Sequence, residues 1–156
     1  MRPLLVLALL LGGASCASRS GSSDADVQEL LGLHAAVIRA HLESDVALFP
    51  EQDGGSFVMA NRGEITHPDP QEMREGMADY LGRTRFSVYR DQVPPIVRVS
   101  QDGTLGWVIV QVEAEGEQTS PEGQVEPLSF VCAWIELYEK RAGRWRSVGN
   151  LSSFKP

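Results

Sequence analysis

The segment Leu128 to Leu137 constrains this chain more than any other. Phe130, Cys132 and Trp134 alternate there with Val131, Ala133, Ile135 and Leu137, so a strand built from it is apolar on both faces. Such a strand has to be covered on both sides. One face can meet helices of the same chain, and the other is left for a second subunit, which predicts a homodimer. The surrounding sequence is punctuated as further strands: Phe86 to Arg90, Ile96 to Ser100, Leu105 to Glu115, Leu128 to Lys140 and Arg144 to Ser153. Gln101-Asp102-Gly103-Thr104 joins two of them as a hairpin, because Asp-Gly readily adopts positive φ. Arg141-Ala142-Gly143 joins the last two, and a polar loop with Pro121 and Gly123 precedes Leu128.

Helices come first in the chain. Leu30, Leu31, His34, Val37, Ile38, His41, Leu42 and Asp45 recur at helical spacing and form one stripe of a helix starting near Asp24. Phe57 to Ala60 and Glu64 to Thr66 form a short hairpin around Asn61-Arg62-Gly63. Asp69 then caps a second helix, with Pro70 at its first position and Glu72 placed to close a capping box. Met73, Met77, Tyr80 and Leu81 give it one apolar face, and Gly82 ends it. Helices followed by a long antiparallel meander predict an α+β fold. At 156 residues and 42% apolar composition, one domain with a real core is expected.

The first residues read as a targeting segment. Arg2 supplies a positive charge, Leu4 to Leu11 is unbroken and apolar, and Gly12 to Ser15 is small, which is the layout of a secretory signal. The apolar run is far shorter than the ~20 residues a spanning helix needs. Gly13-Ala14-Ser15-Cys16 resembles a lipobox, with Gly13 where Leu, Val or Ile is usual. The chain thus divides into a signal over 1–16 ending at a lipidated Cys16, a flexible tether over 17–23 and a domain over 24–156. Plain secretion, with cleavage after Ala17, is the alternative. The expected location is the bacterial cell envelope, held to the membrane only through the lipid anchor. The formal charge is −7, and losing Arg2 leaves 13 basic against 21 acidic residues, −8. An acidic chain without a basic run is a poor nucleic-acid binder, since that affinity rests on Lys and Arg at phosphates. Cys132, in an apolar strand, reads as a small buried hydrophobe; a bridge to Cys16 is the alternative.

Several phrases in this order resemble the nuclear-transport-factor-2-like (NTF2-like) superfamily, also called SnoaL-like or ketosteroid-isomerase-like. They are His41-Leu42-Glu43-Ser44-Asp45, Asn61-Arg62-Gly63-Glu64, Gln101-Asp102-Gly103-Thr104 and Gly143-Arg144-Trp145-Arg146, and the resemblance runs from about Asp24 to Phe154. It implies a cone: a strongly curved antiparallel sheet wrapping a long N-terminal helix, with a cavity at the open end. Isomerases, cyclases, dehydratases and dimerisation modules share this fold, so it does not name a function. Many relatives carry a histidine two residues before a serine in the last strand; Leu151 stands at that place here, before Ser153.

Polar residues on an apolar stripe mark the candidate site. His41 and Asp45 lie four apart, so the carboxylate is placed to orient the imidazole as a general base. The competing role for the pair is a structural hydrogen bond at a wet helix end. His34 and His41 are seven apart, about 10.5 Å along a helix, too far to share a metal ion. Trp107 and Trp134 on neighbouring strands are candidates for an aromatic wall, and Tyr80, Tyr89 and Tyr138 for hydrogen-bond donors. The expected pocket is therefore His34, His41, Asp45, Tyr80, Trp107 and Trp134, taking a small apolar or aromatic ligand. No phosphate loop, nucleophile elbow or paired-cysteine motif is present, and no metal or cofactor is expected. Three functions follow: a ligand-binding domain, an isomerase, cyclase or dehydratase using His41 and Asp45, or a structural dimerisation module.

Overall fold

A computed structural model describes residues 20–53 and 55–154; the signal segment and Cys16 lie outside them. Helix α1 spans Ser20–Glu43, four residues ahead of the expected start, so the end of the Ser-rich stretch is helical rather than linker. Once a helix is nucleated, each added residue gains a hydrogen bond, and composition alone does not stop it. Asp26, Leu30, His34 and His41 form its buried line, whereas Leu42 and Asp45 are exposed. A 3₁₀ turn, Val46–Leu48, follows.

Helix α2, Pro70–Gly82, starts as its sequence requires: Asp69 Oδ1 accepts from the backbone N–H of Gln71 and Glu72. It ends without a left-handed glycine. Arg83 instead donates its N–H to the carbonyls of Asp79 and Leu81 and leads directly into the sheet.

The strands are β1 (Val58–Asn61), β2 (Glu64–Thr66), β3 (Thr84–Asp91), β4 (Ile96–Val99), β5 (Leu105–Thr119), β6 (Val125–Arg141) and β7 (Arg144–Phe154). They form one sheet in the order β2-β1-β7-β6-β5-β3, with β4 also paired to β5. It is not a simple meander. β3 and β4 share one edge of β5, along Val112 to Gln118 and Gly106 to Ile109, and β1 runs parallel to β7. The α+β class and the cone are as expected.

Alternation sets the two faces. On β5, Val108, Val110, Val112 and Ala114 point inward and are buried, with α1 lying across β3, β4 and β5. Bulges at Phe86/Val88 and Leu137/Tyr138 bend the sheet around the helices. Gly116 lets β3 come close at the first: a Cβ there would sit 2.2 Å from the Arg85 carbonyl oxygen.

Candidate functional site

The curl leaves a cavity of about 600 Å³ between the inner sheet face and the helices. β6 supplies one wall through its inward residues, Leu128, Phe130, Cys132, Trp134, Glu136 and Tyr138. α1 adds Val37 and His41, and α2 adds Met73, Met77 and Tyr80. The lining is mostly apolar, with its polar groups concentrated at a few points, as ligand sites generally are.

The main polar cluster is centred on Glu136, 5% exposed on β6. Its Oε1 accepts from His34 Nδ1 at 2.9 Å and from Trp134 Nε1 at 2.8 Å, and its Oε2 accepts from the Tyr138 hydroxyl at 2.9 Å. Three donors on one side chain call for a carboxylate, which accepts only. His34, 2% exposed, turns its other nitrogen to Asp91, with Nε2 3.0 Å from Oδ1 and 3.2 Å from Oδ2. Burial works against charging the ring. The hydrogen bond and charge of Glu136, then those of Asp91, outweigh it and raise the pKa of His34. A proton on each nitrogen would satisfy both carboxylates, so the geometry and the raised pKa both favour the protonated form of His34. The Tyr138 phenol is driven well above its ordinary value by burial and by Glu136.

His41 is a different kind of histidine. Its Nδ1–H donates to the Val37 carbonyl at 2.8 Å, one turn back along α1. The ring stacks on Tyr89 with centroids 3.9 Å apart and meets Phe49 and Phe86 edge-on. Burial lowers its pKa to about 4, against the opposing effect of the Val37 bond, so the ring is neutral at pH 7. With Nδ1 protonated, Nε2 is an acceptor without a partner among the described residues, and His41 lines the cavity.

The expected His41–Asp45 pair does not form. α1 ends at Glu43, and Ser44 takes φ 53°, which turns the chain out of the helix. Asp45 becomes the cap of the 3₁₀ turn, its Oδ1 accepting from Ala47 N at 2.9 Å. Replacing Asp45 by alanine is therefore expected to cost only about 1 kcal/mol, an ordinary cap loss. An NMR titration of the His41 ring should be unmoved; a shifted His41 pKa would restore the pair.

Of the other expected pocket residues, Tyr80 and Trp134 line the cavity, and His34 sits behind it, bonded to Glu136. Trp107 does not belong to it. It alternates with the buried Gly106 and Val108 and lies on the outer face opposite Leu137. Glu136 and Asp91 were missed. A usable signal exists for Glu136, which falls in phase with Trp134 and Tyr138 on a strand whose neighbours are apolar.

No family model and no curated protein sequence matches the chain. Solved structures do resemble it. An NTF2-like protein from Cytophaga hutchinsonii superposes with a TM-score of 0.61 at 14% identity, covering 81% of this chain and 95% of that one. A proposed dehydratase of the NTF2-like family from Streptomyces avermitilis gives a TM-score of 0.67 at 11% identity, covering 85% and 98%. The association domain of C. elegans CaMKII gives 0.58 at 14% identity, covering 86% and 99%. At such identities the likeness concerns architecture alone. The chain has the NTF2-like cone fold.

Proposed function

We propose that this protein is a small-molecule-binding domain displayed on the cell envelope. The observation that carries the reading is the cavity itself: large, apolar-walled, open between helices and sheet, and furnished with a buried polar cluster at Glu136. A neutral naphthalene-based dye should bind saturably, one per chain, with quenching of tryptophan fluorescence. Leu128→Trp, which fills the cavity from β6, should abolish binding while the protein still melts cooperatively. A folded Leu128→Trp protein that binds the dye as well as the parent would overturn the reading. The enzyme alternative is weakened because His41 has no carboxylate to orient it.

Envelope display rests on the signal-like start and on Cys16. Radiolabelled palmitate should be incorporated into the chain and lost with Cys16→Ser; incorporation independent of Cys16 would exclude that anchor.

Pairing of two copies through the outer sheet face belongs to the same proposal. Ile96, Ile109, Ile135, Leu151, Ala60 and Ile65 stand opposite one another in register across six strands, an apolar row on the side away from the helices. Ile65 is 73% exposed and Ile96 49%. Contiguous apolar surface of this kind marks interaction sites, and the fold is shared with a CaMKII association domain. Light scattering should report a dimer, and Ile135→Glu a monomer of unchanged secondary structure. An unmodified chain that is monomeric at high concentration would remove this part.

A further inference from the structure

We infer that the cavity takes a small organic cation, a protonated amine carried on an aromatic or branched apolar body; this rests on the binding function proposed above. Among the described residues lining the cavity, the Asp, Glu, Lys and Arg side chains are Glu51, Arg74 and Glu136. Glu51 is ion-paired with Arg146, and Arg74 is exposed on α2. The buried charge on the lining is therefore that of Glu136. Behind it, His34 lies between two carboxylates, Glu136 and Asp91, so two acidic side chains face one imidazole and the row Asp91–His34–Glu136 stays negative even with the ring protonated.

The hydrogen-bonding capacity points the same way. Among the described residues, Glu136 Oε2 accepts from Tyr138 alone, which leaves it a lone pair, and His41 Nε2 has no partner. Both are acceptors, which suits a ligand that donates. Phe49, Tyr89, Phe130 and Trp134 line the cavity, and aromatic rings of this kind attract a cation. An anionic ligand would meet Glu136 with no buried Lys or Arg among the described lining residues and with His41 held neutral, which is costly away from water.

Three probes of one shape test this on the purified protein by calorimetric titration: naphthylethylamine, naphthylethanol and naphthylacetate. The amine is expected to bind about tenfold more tightly than the alcohol, and the acid more weakly than both. An alcohol or acid that binds as tightly as the amine overturns the cation specificity while leaving the binding function standing. Failure of all three overturns both. Glu136→Gln keeps the side chain's shape, and where it melts cooperatively the preference for amine over alcohol should vanish; a preserved preference overturns the role of Glu136. Should this variant not fold, the comparison of the three probes on the unmodified protein decides alone.

Discussion

Replacing Glu136 with alanine is expected to destabilise the protein by about 3–5 kcal/mol, the usual cost of removing one partner from a buried ion pair. The substitution leaves more than a cavity. His34 loses the partner that contributes most to keeping it charged, while Trp134 Nε1 and the Tyr138 hydroxyl lose their acceptor in the core. Each abandoned polar group costs about 1–3 kcal/mol, although losses within one network do not add. Urea denaturation at pH 7 measures the change. The double replacement His34→Leu with Glu136→Leu should be less damaging than Glu136→Ala. It removes both buried charges, and Asp91, whose side chain is 26% exposed, can turn to water. A double variant less stable than the single one would mean the charges contribute net stability rather than specificity.

The second large effect is a loss of stability on mild acidification, traced to His41. Its folded pKa is depressed by burial to about 4, from the ordinary histidine value of 6.5. The neutral ring is favoured by the fold, so between these values the unfolded chain binds more protons and stability rises with pH. The contribution is fully present above pH 6.5 and is lost as pH falls to about 4. The shift corresponds to roughly 3 kcal/mol at most. His34 does not mask it. Its pKa is raised, so its contribution is fully present below pH 6.5 and is lost only as pH climbs through the folded value. Urea midpoints for the protein and for His41→Phe, which suits the box of Phe49, Phe86 and Tyr89, separate the cause. The slope between pH 5 and 6.5 should be flat in the variant; an equally steep variant would place the acid sensitivity elsewhere.

Local physics was legible in the sequence wherever it acts over a few residues. The Asp69 cap, the Arg62-Gly63 and Ala142-Gly143 turns, with positive φ at all four residues, and the strands of β3 to β7 follow from neighbouring side chains. The double-sided apolarity of β6 announced a sheet covered within and available without. The α1 stripe singled out two buried histidines but not their chemistry. One is pushed toward its charged form and the other toward neutral, and the groups that act on the first lie far away in sequence: His34 meets Asp91 and Glu136 at separations of 57 and 102 residues.

The site depended on tertiary structure for reasons of register and termination. Helical spacing would join His41 to Asp45 only if the helix continued, and a single left-handed residue, Ser44, ends it. Strand spacing assigns alternate residues to opposite faces but does not say which face is inside. Sheet curvature and the lie of α1 put Trp134, Glu136 and Tyr138 in the cavity and Trp107 outside it. Parity is a property of one strand, whereas inside and outside exist only once the sheet has closed around the helices.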